Sequence, residues 1–118
     1  MSEDPTLGKI EVSPRAIASI ASEAVLRCYG VDGMAAATLR DGLAELLQGD
    51  SYHRGVEAKL VSNRIAIDLY VVIEYGTRIS SVAKSVANNV KFNVEKMLGI
   101  PVNEVNVHVR GLRVSDAD

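Results

Sequence analysis

Two histidines mark where acid–base chemistry can be sought in this chain. His108 lies in EVNVHVRGLRV, residues 104–114, whose strict alternation places Val105, Val107 and Val109 on one face of a strand and Asn106, His108 and Arg110 on the other. Asp68 and Glu74, on a second alternating segment, are carboxylates that can reach the same face. Imidazole beside carboxylate is a general acid–base pair when a pocket excludes water and perturbs the pKa values. A sheet covered on one side leaves an open face instead, and the pattern then reads as a solvated or partner-facing surface. No catalytic residue is assigned on this reading.

The second histidine sits in SYHRG, where Tyr52, His53 and Arg54 offer polar groups to a small-molecule pocket near residues 31–55. That is the rival expectation, a small-molecule sensor or regulatory domain. Metal binding calls for ligands at short spacings, and Cys28, His53 and His108 are each isolated, so no metal or cofactor is expected. Cys28 continues an apolar helical stripe and reads as a small core residue. The glycines at 30, 33 and 42 make no phosphate-cradling motif.

Composition narrows the partners. The chain has 118 residues, enough for one core, with 47% apolar and 24% charged residues. A net charge of −2 supplies no general basic field, and the single Phe92 falls in a helical stretch rather than on a strand, so nucleic acid is not an expected partner. One cysteine and no apolar leader point to the cytoplasm. The longest apolar run, IAIDLYVVIEY, is interrupted by Asp68 and falls short of the roughly 20 residues needed to span a bilayer, which excludes direct membrane insertion.

The elements that position these residues follow from periodicity. GKIEVS alternates as a short strand, and Ser13-Pro14 opens a helix whose stripe of Ile17, Ile20, Ala21, Ala24, Val25 and Cys28 runs to a cap at Gly30. Residues 31–55 hold four of the nine glycines and read as a long connection carrying one small helix around Leu39–Leu47. VEAKLV and IAIDLYVVIEY, joined by Ser62-Asn63, read as a hairpin. A helix from about Ile79 to Leu98 is stopped by Gly99 and Pro101, and the segment containing His108 is the last strand.

The expected fold is α+β: a four-stranded, mostly antiparallel sheet with two helices on one face in β-α-β-β-α-β order, compatible with a ferredoxin-like arrangement. Residues 8–114 form the expected domain, between tails at 1–7 and 115–118. The sheet's uncovered face carries Tyr70 and Val72, with Val61 on the neighbouring strand, framed by Glu74, Asn106, His108 and Arg110. These seven residues are the candidate interaction surface.

Longer stretches carry a resemblance. GKIEVSPRAIASIASEAV, GLAELL, DLYVVIEYG, VAKSVANNVKFNVEKMLG and VNEVNVHVRG, together spanning most of residues 8–114, resemble the bacterial alkaline shock protein family, envelope stress response proteins, in its short, tail-free form. The resemblance implies a non-enzymatic cytoplasmic protein that gathers beneath the membrane through a membrane-anchored protein partner and supports envelope homeostasis, with some members encoded beside genes of lipid metabolism, the link a sensor would serve; self-association is the expectation that unpaired sheet edges add. It supplies no catalytic residues to transfer.

Overall fold

The computed structural model describes residues 11–36, 47 and 54–113. In order these form α1 (Pro14–Leu26), β1 (Val31–Met34), β2 (Val56–Val61), β3 (Arg64–Glu74), α2 (Ile79–Leu98) and β4 (Val102–Arg113). Four strands and two helices make the α+β layering expected from the periodicity. No helix among the described residues is long and apolar enough to cross a membrane.

Local chemistry sets the boundaries. The Ser13 side chain accepts from the Ala16 N–H at 3.1 Å and Pro14 occupies the first turn, which settles orphan donors at the start of α1. The helix stops at Leu26, capped at Arg27, so Gly30 is not its cap but a left-handed residue, φ +89°, in the turn into β1. Ser62 and Asn63 both take positive φ between the paired Val61 and Arg64, the two-residue turn that matches strand twist. Gly99, left-handed, ends α2, and its N–H bonds to the Glu95 carbonyl.

β3 organises the sheet. One edge pairs antiparallel with β1 (Val31↔Ile73 to Met34↔Val71) and then with β2 (Val56↔Leu69 to Val61↔Arg64). The two short strands thus lie end to end, bridged by the Ala35 N–H donating to the Tyr70 carbonyl. At their junction a side chain on Gly55 would meet the Ala35 carbonyl oxygen at 2.8 Å, so glycine permits the close approach. The other edge of β3 pairs in parallel with β4, and α2 makes the crossover.

Among the described residues the order of elements differs from the expected one. Glu11–Ser13 form no strand, residues 1–10 lie outside the described part, and the observed order is α-β-β-β-α-β. The ferredoxin-like order sets the first strand between the two strands joined by the second helix. Here β3 and β4 are direct neighbours, and the fourth strand is β1, drawn from the segment read as a connection. The small helix expected around Leu39–Leu47 lies outside the described residues except for Leu47, which is buried and whose N–H bonds to the Met34 carbonyl.

Both helices cover one face. Ile65, Ile67, Leu69, Val71 and Ile73 of β3 are fully buried against Val82, Val86, Val90 and Val94 of α2 and Ile17, Ala21 and Val25 of α1. The alanines let α1 lie close. The Glu95 carboxylate accepts from the Val102 N–H at 2.9 Å, fastening the last turns of α2 to the start of β4.

A side chain on Gly30 would come within 2.7 Å of Val82 Cγ2, whereas one on Gly76, also at positive φ, meets nothing within 4 Å. Gly76→Ala is expected to cost about 1–2 kcal/mol from backbone strain alone, and Gly30→Ala about 1–3 kcal/mol more from overpacking. Urea midpoints of the two variants check this; equal losses would mean that Val82 yields freely.

Candidate functional site

The uncovered face of the sheet is built from alternate residues. β3 contributes Ala66, Asp68, Tyr70, Val72 and Glu74, and β4 brings Glu104, Asn106, His108, Gly111 and Arg113 beside them in register. The register advances by an extra residue on β4 between Val109 and Gly111, and that residue is Arg110. From β2, Glu57 stands opposite Asp68.

At the centre is Tyr70. Its hydroxyl donates to Glu57 Oε1 at 2.9 Å, the His108 ring stacks on it with centroids 4.7 Å apart, and the Arg110 guanidinium lies over it at 4.9 Å. His108 Nε2 is 2.9 Å from Asp68 Oδ1. Glu57, Asp68, Tyr70, His108 and Arg110 therefore form one connected layer across three strands. At its margin Arg113 pairs with Asp32 of β1 at 3.2 Å, and the Asn106 amide donates to Glu104 at 3.0 Å.

The environment of the imidazole–carboxylate pair decides what it can do. Asp68 and His108 side chains are 28% and 40% exposed and stand on a pleated surface. Hollows of about 230 and 330 Å³ are lined by Ile20, Glu23, Arg27 and Met97 between the helices, and by Tyr29, Thr77, Arg78 and Ser81 at the start of α2. A third, about 500 Å³, is lined by Val61, Arg64 and Asn103 beside the hairpin. None of these is lined by the pair, which remains open to water where acid–base catalysis needs a dry pocket. Among the described residues no three His, Cys, Asp or Glu side chains converge as metal ligands. Cys28 is buried and accepts from the Asn89 amide at 3.2 Å.

The candidate surface residues separate into three groups. Tyr70, Asn106, His108 and Arg110 come together as expected from the alternation. Tyr70 and Val72, however, are only 8% exposed each, so they underlie the face and do not form an apolar contact patch on it. Glu74 sits beside Arg113, and Val61 is exposed at the far hairpin end, apart from the cluster. Of the rival pocket's polar groups, Tyr52 and His53 lie outside the described residues, and Arg54 is exposed.

Glu57 was the partner missing from the sequence reading, although the Ser62-Asn63 turn implies its position. Counting back from Val61↔Arg64 sets Glu57 against Asp68, one strand from Tyr70. Asp32 had no comparable signal, because β1 was not read as a strand.

Burial first, then the hydrogen bond to Glu57 and the negative charges of Glu57 and Asp68, push the Tyr70 hydroxyl above its ordinary pKa of 10.0, against the opposing charge of Arg110. The folded chain thus holds this proton more tightly than the unfolded one. The resulting stabilisation is complete below pH ~10 and is lost as pH rises through the folded value. Tyr70→Phe is expected to lose about 1 kcal/mol at neutral pH, with the difference from the parent chain shrinking at higher pH. Denaturant melts of both proteins across the alkaline range check the sign, and a gap that widens would contradict it.

Comparison with known proteins agrees with the sheet-and-helix frame and adds lineage. The model of the alkaline shock protein family, with cell envelope-related function, matches residues 2–114. The uncharacterized protein YloU of Bacillus subtilis (strain 168) is 40% identical over 110 residues, covering 92% of each chain. A stress response regulator gls24 homolog of Streptococcus pyogenes serotype M3 is 30% identical over 100 residues, 85% of this chain and 54% of that one. Among solved structures, the copper form of the MamM CTD superposes with a TM-score of 0.51 over 87% of this chain and 90% of its own, at 16% identity. That last likeness is one of fold. On the family match and the similarity to YloU, the chain belongs to the alkaline shock protein family, a family of cell envelope-related function.

Proposed function

We propose that this chain is a non-enzymatic docking module of the cell envelope, which acts from the cytoplasm by pairing an exposed strand edge with a membrane-associated protein or with itself. The observation that carries this reading is β4. It runs for 12 residues, pairs with β3 on one side, and among the described residues meets no strand on the other. A row of backbone donors and acceptors at a sheet edge is a template for a further strand. On the helix side of this edge Val109 and Leu112 are 37% and 47% exposed, apolar surface that an added strand would cover.

The polar layer supports the same reading. Tyr70 holds side chains of β3 and β4 in one arrangement, so the edge is presented by a rigid sheet and little conformational freedom is lost on docking. The partner, in this reading, carries the membrane attachment.

Proximity labelling from this chain in its own cell is expected to mark membrane-anchored proteins, and Val109→Lys with Leu112→Lys is expected to reduce that labelling at least severalfold while the melting temperature stays near the parent value. Labelling no different from that of a freely diffusing control protein would remove the proposal.

A further inference from the structure

We infer that the outer edge of β4 pairs antiparallel with β4 of a second copy of this chain, about a two-fold axis at Val107. The inference rests on the docking reading above and names one occupant of that edge. In an antiparallel pair, side chains directly opposite one another share a face, and a two-fold axis makes every contact occur twice. With Val107 on the axis, Glu104 of each copy stands opposite Arg110 of the other, Asn106 opposite His108, and Val105 opposite Val109. Carboxylate meets guanidinium and amide meets imidazole on the polar face, while valine meets valine on the helix side.

This register is selective. Moving the axis to Asn106 sets Arg110 against Val102, and moving it to His108 sets Glu104 against Leu112; Val102 and Leu112 lie on the helix side, beside Ile65 and Ile73, so either shift separates the opposite charges and leaves one without a partner on its own face. The extra residues of β4 relative to β3, Asn103 and Arg110, bracket a regular run from Glu104 to Val109, so the five residues centred on the axis have uniform pleat and Arg110 joins the pairing at its bulged end. Val109, 37% exposed, gains a covering partner. The sheet's opposite edge consists of two short strands with a break between them, whereas β4 is continuous.

Sedimentation of the purified chain over a concentration series tests the pairing. The parent chain is expected to associate reversibly to a dimer. Glu104→Arg and Arg110→Glu are each expected to raise the dissociation constant about tenfold or more by opposing like charges twice, and the double reversal to restore it to within about threefold. Hydrogen exchange on the parent chain, which needs no variant, is expected to show amides of 104–109 gaining protection as concentration rises. A parent chain that stays monomeric, single reversals without effect, or a double reversal no better than the singles would overturn the inference. If the chain is monomeric yet still labels membrane-anchored proteins in the cell, self-pairing fails and the docking reading stands; if neither is seen, both fail.

Discussion

β3 is paired along both edges and sealed on its helix face, and the rest of the molecule is arranged by that placement. Its helix-side residues, from Ile65 to Ile73, lie against α1 and α2, while Tyr70 and Val72 on the reverse side are almost as deeply buried. Both its edges carry ladders. A strand laddered on both edges and sealed on its helix side cannot slip by one residue without exchanging its apolar and polar sets, so the positions of β1, β2 and β4 follow from it. The polar layer inherits this order: Asp68 and Tyr70 are placed by β3, and Glu57, His108 and Arg110 reach them from the neighbouring strands.

How far this was legible in the sequence depends on the range of the signals. The hairpin and both helices rest on local chemistry: a two-residue turn at Ser62-Asn63, a serine cap at Ser13 and a left-handed stop at Gly99. β1 does not. Val31-Asp32-Gly33-Met34 is too short and too glycine-rich to show alternation, and it is a strand because β3 offers it an edge. Conversely, the alternation of Ile10 and Val12 invites a strand, yet Glu11–Ser13 have no ladder. The position beside β3 that such a strand needs in a ferredoxin-like order is taken by β4.

The site was legible as a face and less so as an environment. Alternation located Tyr70, Asn106, His108 and Arg110 together, because period-2 geometry leaves them no other choice. It could not show that Tyr70 and Val72 are covered. That cover includes the His108 ring and the Arg110 guanidinium, which lie over the tyrosine ring. His108 therefore has a structural place: it packs against an aromatic ring and lies beside a carboxylate.

The end-to-end placement of β1 and β2 has a consequence for how such chains diversify. Each half of that interrupted strand is held by its own ladder to β3, and between Ala36 and Arg54 the described Leu47 ties back to β1 through its N–H on the Met34 carbonyl. Closure entropy grows only slowly with the length of such an excursion. The seam is thus a tolerant splice point, where chain can be lengthened or trimmed while the sheet keeps its geometry, provided that a core residue in the place of Leu47 is kept.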